Sequence, residues 1–559
     1  MLLSPVCRTS CGVWVAPIAL LATACLAVAV TPIARWDVVP HQRIERGKSL
    51  KCGVIAFSKA GIAKVVCRVN GQARQVDSMS LNDRTGVWEY WIPIAAADHP
   101  EGGTFQVEAT VYGKDGGERV LPPLELLSDA QGKLPRREAW VDAEKGSDKT
   151  GATGDPERPY VTIGRAMDGI RRWMKAQGYG DRADGGIIRL RPGKHPYSNG
   201  RIWQEIPTAN EWVTITGDGT GTRDAFVIDR FAGALQTHLL KIEGVTLRSP
   251  GKHGYVIRGT QKYKGMNLWT DDCALIGAGR YVQGAHPIHH GGFTLWATDC
   301  YYTELASAVG GNRLARGLRI EKISDDVARN CPLLVNVVAH DVDPGMTYAH
   351  SDAWQYWFRD EPNNTIAYNV RMTDAHYQGV MCRTGKADAP LARDVAFVNC
   401  LLEIRHPIRP PHRGLTDGGE GRSLWMRSVD HLLVWHCSFL GHPLNFYDDK
   451  EGRTRIPLNM TNVSVVGCCF GNMKKHTQGG KVDFSGFQGN HIVAPEGIHS
   501  VKPGRDLSTG DPKLTPTFAP RAKSPLVNRL SRQLVPIDAA GRLRDARPDI
   551  GALEYIPEE

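Results

Sequence analysis

The chain has 559 residues, a formal net charge of +9, and 60 glycines and 34 prolines spread along its length. So modest a charge, with no Lys/Arg run interleaved with aromatics, argues against a nucleic-acid partner. Scattered Gly and Pro suit many short strands and turns, not a helical bundle.

After Arg8 the opening segment is apolar from Val13 to Val30, with Pro17 and small polar residues interrupting, and passes Ala27-Val28-Ala29 and Ile33-Ala34 before Arg35. Residues 1–34 therefore read as a secretory signal peptide, and the protein is expected to be secreted or displayed at the cell surface. An apolar run of this length also meets the lower limit for an uncleaved anchor. No other membrane attachment is expected.

Residues 38–128 carry LKCGVIAF, AKVVCRVNG, GVWEYWIPI and FQVEATVYG, which alternate apolar and polar residues between Gly, Asn and Asp turns. That is the pattern of an antiparallel sandwich. Through Gly61-Ile62-Ala63-Lys64-Val65, Asn70-Gly71 and Trp88-Glu89-Tyr90-Trp91 the segment resembles bacterial immunoglobulin-like domains, which implies a spacer or substrate-proximity module. Cys52 and Cys67 stand either as a disulfide in an oxidising compartment or as two buried thiols. Residues 129–137, DAQGKLPRR, read as a linker.

From residue 138 the pattern changes. Trp140-Val141-Asp142, Gly146-Ser147-Asp148 and Pro159-Tyr160-Val161-Thr162-Ile163 precede a predicted helix through Met174, and then GGIIRLRPG at 185–193. With Ser524-Pro525-Leu526-Val527 and Asp549-Ile550-Gly551-Ala552-Leu553-Glu554-Tyr555, these resemble the opening and closing segments of right-handed parallel β-helix proteins of the pectate-lyase type. The resemblance implies that the helix plugs the open end of the coil. A plug is physically required, because a bare terminal rung templates edge pairing. Between the ends, short strands such as WVTITGDG, GFTLWATDCYYTEL, NTIAYNVRMTD and HLLVWHCSFLG recur about 22 to over 35 residues apart, with the excess in loops that wall a groove along one face. The fold expected for the chain is all-β: a right-handed parallel β-helix solenoid over 138–559 preceded by a small immunoglobulin-like β-sandwich. Cys273, Cys300, Cys400, Cys437 and Cys468 each flank an apolar strand and read as small core residues rather than metal ligands.

The densest polar chemistry lies between His340 and Lys386. Aligning Gln355 on Gln378 gives an offset of 23 residues that also sets Trp354 over Tyr377, Trp357 over Val380 and Phe358 over Met381. The two glutamines then form either a buried amide ladder or a substrate contact. His350 and Asp352, two apart, project to one face of an extended segment, close to where Arg359, His376, Arg383 and Lys386 leave the next turns. A carboxylate beside an imidazole orients it and raises its pKa, which makes a general base or acid usable near neutrality. Nearby Arg and Lys would hold a sugar carboxylate and stabilise charge building on it.

That is the chemistry of β-elimination in acidic polysaccharides, which many lyases on this fold perform. No one lyase subfamily is matched, so none of its catalytic residues carries across. On the chemistry of the residues themselves, His350, Asp352, His376 and Arg383 are the catalytic candidates and Arg359, Lys386, Gln355 and Gln378 the substrate-binding candidates. The rival reading of His350 is a turn histidine capped by Asp352. Asp271-Asp272 and Asp325-Asp326, with Asp341 and Asp343, offer carboxylates for hydrolysis or for calcium, the one cofactor left open. The Gly-His-Gly of polygalacturonase-type hydrolases is absent, and Arg383-Thr384-Gly385-Lys386 is one residue longer than their Arg-x-Lys. His286, His289 and His290 lie in a loop without a carboxylate at ligand spacing, so they read as groove-rim residues and no metal site is expected. Three readings remain: a lyase on an anionic polysaccharide, a glycoside hydrolase, and a non-catalytic polysaccharide-binding or adhesin-like solenoid. A monomer is expected in each case.

Overall fold

The computed structural model describes residues 29–557 except 197–207, 209, 230, 233–238, 250–255, 259–265, 282–292, 344–351, 358–363, 377, 384–391, 405–423, 427, 452–453, 477–479, 497–499 and 503. Within them the chain is a parallel β-helix preceded by a small antiparallel sandwich. Crossovers between parallel strands in one sheet are almost always right-handed.

Each rung is built alike. A strand of a 14-stranded parallel sheet, such as Met266–Asp271, ends in a two-residue turn and enters an 18-stranded parallel sheet, as at Ala274–Ile276. The first turn residue is left-handed in rung after rung: Gly244, Asp272, Asp299, Gly317, Asn336, Asn369, Asn399, His436 and Gly467, with φ between 48° and 68°. Glycine adopts that conformation freely, and Asn and Asp tolerate it through local hydrogen bonds. The second turn residue points into the core, and here the five expected cysteines stack, with Val245, Leu318, Val337 and Val370 in the other rungs. The Cys400 N–H donates to Cys437 Sγ and the Cys437 N–H to Cys468 Sγ, both at 3.4 Å. An amide ladder does run along the solenoid, but at this corner: Asn369 Nδ2 donates to Asn336 Oδ1 at 3.1 Å and Asn399 Nδ2 to Asn369 Oδ1 at 3.0 Å.

The 18-stranded sheet is crossed twice by each central rung. The chain runs along one face as Tyr301–Leu305, Arg319–Ile323, Val338–Val342, Arg371–Ala375 and Leu401–Ile404. It then rounds a corner into Val309–Gly310, Ala328–Arg329, Asp352–Trp357, Gln378–Arg383 and Leu424–Met426. The coil therefore has three faces around one apolar core. Rungs vary in length: Trp296 pairs with Leu314, 18 residues on, but Val395 pairs with Leu432, 37 residues on. The extra chain enters or leaves the third face, as between Val342 and Asp352, Arg383 and Ala392, and Ile404 and Leu424.

The expected capping helix is Ile163–Ala176, started by Thr162, whose side chain accepts from the Arg165 N–H. Ile163, Ala166, Met167, Ile170 and Met174 join the solenoid core beside the first strand, Glu138–Val141. An amphipathic helix thus covers the apolar end that no further rung covers.

In the sandwich a four-stranded sheet faces a six-stranded one. Its first strand, Ile33–Trp36, begins inside the expected leader and pairs with Val54 to Phe57, so the folded unit starts upstream of residue 38. Cys52 and Cys67 are free buried thiols on different sheets, and burial pushes the Cys67 thiol up to about 12.

The sandwich is also not a detached spacer. Ile33, Val39, Ile55, Phe57 and Val87 form one buried cluster with the outward-facing Trp212, Trp269, Trp296, Ile366, Tyr368 and Trp435 of the long sheet. Trp212 Nε1 donates to Pro40 O at 2.7 Å, and the Ala34 N–H donates to Asn364 Oδ1 at 2.8 Å. The expected linker is pinned as well, since Asp129 Oδ1 accepts from the Lys133 and Leu134 N–H groups and Arg136 Nη1 pairs with Glu45 at 2.6 Å.

Beneath this seam lies a charged cluster. Arg316 Nη1 donates to Asp37 Oδ1 at 2.9 Å, and Glu89 accepts from Asn82 Nδ2 at 2.6 Å. Burial, with Asp37 alongside, holds the Glu89 carboxyl well above its usual range. A carboxyl that keeps its proton when folded but loses it when unfolded makes stability fall as pH rises from the unfolded pKa toward the folded one. Glu89→Gln, which keeps a donor without the titration, is expected to flatten that decline above about pH 4.5 in denaturation midpoints across pH. A wild-type slope in the variant would place the titration elsewhere.

Candidate functional site

The corner between the second and third faces collects the polar chemistry. Just before it, Glu304, Lys322, Asp341 and Asp374 occupy one bulged column, each with φ between 53° and 57°. A bulge inserts an unpaired residue and re-aims side chains. In this column Lys322 Nζ pairs with Glu304 at 3.3 Å, and Arg280 Nη1 pairs with Asp341 at 2.6 Å.

In the next rung the bulge sets Asp374 against His376, with Oδ1 3.2 Å from Nε2. His340, one rung back, approaches the other oxygen of Asp374 at 3.8 Å and Thr373 Oγ1 at 3.1 Å. The Asp374 N–H donates to Glu403 Oε2 at 2.8 Å. The His376 N–H donates to Val342 O at 2.9 Å, which stacks it beside the buried Asp343. His376 is buried, and its Nδ1, itself buried, has no hydrogen-bond partner among the described residues. An imidazole held by a carboxylate at one nitrogen keeps the other for proton transfer.

A carboxylate group fills the same corner one and two rungs earlier. Asp326 and Asp352 are fully buried, and the Asp352 N–H donates to Asp326 Oδ1 at 3.0 Å. Arg329 Nε donates to Asp326 Oδ2 at 2.6 Å, while Ser307 Oγ donates to Asp325 Oδ2 at 3.2 Å. Burial, then the neighbouring Asp352 and Asp325, holds the Asp326 carboxyl well above its ordinary value despite Arg329. Burial and like charge thus disfavour ionisation of Asp326, while Arg329 opposes them.

The register of the third face corrects the 23-residue offset. Asp352 pairs with Gln378, Trp354 with Val380, Gln355 with Met381 and Trp357 with Arg383, an offset of 26. Gln355 and Gln378 therefore do not share a column. Gln355 Nε2 instead donates to Asp352 Oδ2 at 2.7 Å, along its own strand. Residue likeness suggested 23, whereas backbone pairing with Trp354 and Val380 both in the core requires 26.

Of the expected catalytic residues, Asp352 is buried and held by Gln355, and His376 lies at the corner with Asp374. Arg383 is described in its backbone, five positions along its strand from Gln378 and so about 16 Å from the level of Asp352. His350, Arg359 and Lys386 lie outside the described residues, as do the side chain of Gln378 and His286, His289 and His290. Asp271 and Asp272 are engaged at another corner, with Lys241 at 2.9 Å and Arg223 at 3.3 Å. Among the described residues no group of three or more His, Cys, Asp or Glu side chains is placed to hold a metal ion. The partner of His376 was within reach of sequence reasoning: Asp374-Ala375-His376 has the same two-residue spacing as His350-Ser351-Asp352.

Set against known proteins, the chain matches no family model and has no significant match among curated proteins, so its assignment rests on the parallel β-helix and on this corner.

Proposed function

We propose that this is an exported carbohydrate-active enzyme that lays an anionic polysaccharide across successive rungs of the third face and cleaves it by β-elimination. The reading is carried by the Asp374–His376 pair, an imidazole oriented at Nε2 with a buried Nδ1 that has no partner among the described residues, at the corner where the longest insertions meet the third face. His376 takes the proton beside the sugar carboxylate, the electron pair of that C–H bond forms the new double bond as the glycosidic C–O bond breaks, and the departing oxygen takes a proton from water. Arg359, Arg383 and Lys386, in or beside the flanking segments, supply positive charge for the sugar carboxylate.

A second reading, glycoside hydrolysis, is favoured by one observation. Asp325, Asp326 and Asp352 gather at the same corner, where burial and like charge raise the Asp326 carboxyl, and hydrolysis needs two carboxyl groups whose environments set acid and base apart.

The test is incubation with a panel of acidic polysaccharides, with and without calcium, following ultraviolet absorbance of unsaturated ends together with new reducing ends. Both signals are expected, and His376→Ala is expected to lower kcat about 10²- to 10⁴-fold. Reducing ends alone would establish the hydrolase. Binding with neither signal would establish a non-catalytic solenoid.

A further inference from the structure

The seam between sandwich and solenoid opens at one end into a cavity of about 550 Å³, a volume in the range of small-molecule sites. It lies against the long sheet, away from the corner described above. The sandwich contributes the turn at Ser58 and Lys59, with Tyr90 and Lys114; the solenoid contributes Trp435 and Arg532. Lys59, Lys114 and Arg532 form no ion pair within 4.0 Å among the described residues, Lys59 acting at longer range on Asp483, and the one acidic residue in the lining is Asp77.

Two hydroxyls in the lining are also unused by the fold, and that of Ser58 is buried. Ser58 is 1% exposed and its Oγ has no partner among the described residues. Tyr90 is 8% exposed, and its hydroxyl likewise makes no hydrogen bond among them. Native folds rarely leave buried polar groups unpaired, and an unpaired group beside a cavity is one that a ligand can satisfy.

We infer that this cleft is a second ligand site, which takes a sugar bearing a carboxylate. The three cations match the carboxylate, the Ser58 and Tyr90 hydroxyls match sugar hydroxyls, and the rings of Tyr90 and Trp435 match the apolar face of a pyranose. A bare inorganic anion would leave the aromatic wall and both hydroxyls unused. The inference does not depend on cleavage at the third face.

The experiment is calorimetric titration of the intact chain with digalacturonate, with the uncharged digalactose as comparator. Saturable binding of the acid alone is expected, weakened about tenfold or more in Lys114→Ala and in Arg532→Ala, since each removes a charge-assisted contact. Tyr90→Phe and Ser58→Ala are expected to weaken binding while leaving the melting temperature unchanged, because neither hydroxyl contributes a bond to the fold. His376→Ala is expected to bind with unchanged affinity at this site. Absence of saturable binding, equal binding of digalactose, or wild-type affinity in the triple variant Lys59→Ala/Lys114→Ala/Arg532→Ala would overturn the inference.

Discussion

Arg544→Ala is expected to lower unfolding free energy by about 3–5 kcal/mol, the usual consequence of removing one member of a buried ion pair. Arg544 is a fully buried side chain, and each of its three guanidinium nitrogens donates. It pairs with Glu554 through Nη1, and Nη2 donates to Asn399 Oδ1 at 3.1 Å, Gly551 O at 3.1 Å and Ala552 O at 3.2 Å. Nε donates to Ile537 O at 3.0 Å. The guanidinium therefore ends the asparagine ladder of the solenoid and fastens the C-terminal segment across it. Alanine would leave Glu554, 6% exposed, without its cation, and burial already raises the pKa of that carboxyl. Arg544→Lys is expected to recover only part of the loss, because an ammonium cannot reproduce the planar fork. Combining Arg544→Ala with Glu554→Gln should recover part of it too, as the stranded charge is removed. Urea denaturation of the three variants measures this, and a loss under about 1 kcal/mol in Arg544→Ala would mean that water replaces the guanidinium.

Truncating Trp212 should loosen the sandwich from the solenoid. Its ring lies 5.8 Å from Trp269 and 5.7 Å from Trp296, edge-on to both, and its Nε1 bonds the sandwich at Pro40. Trp212→Ala is expected to cost about 3–5 kcal/mol, because the docked interface cannot collapse around so large a void. The effect should be read locally as well as globally. Residues 129–137, pinned while the two units are docked, are expected to become the first site of proteolytic cleavage in the variant. Unchanged cleavage kinetics and an unchanged denaturation midpoint would show that the remaining seam, including Phe57 against Tyr368 at 5.4 Å, holds the sandwich without Trp212.

Much of the solenoid was legible because its local rules repeat. The strands at WVTITGDG, GFTLWATDCYYTEL and HLLVWHCSFLG fall where expected, as does the capping helix with its Thr162 start. One further signal was present and unused. The residue ahead of each stacked cysteine is Asp272, Asp299, Asn399, His436 or Gly467, and mostly of a type that tolerates positive φ, so the turn could have been placed as well as the strands. At the site, the two-residue spacing behind the His350–Asp352 proposal also occurs at Asp374–His376, where the fold realises it at 3.2 Å.

By itself, then, the sequence determined which short segments are strands, that they stack as rungs, where the coil is capped, and which small residues fill its turn. Those properties depend on neighbours a few residues away. The tertiary structure alone decided the 26-residue register of the third face, the burial of Asp352 and the docking of the sandwich along the long sheet. Register follows from backbone pairing across a connection whose length the strand pattern does not constrain, so matching glutamines misplaced it. Docking was written in strands such as TIAY and LLVW, apolar on both faces, but such a pattern states only that both faces are covered. What covers them is set by the geometry of the assembled coil.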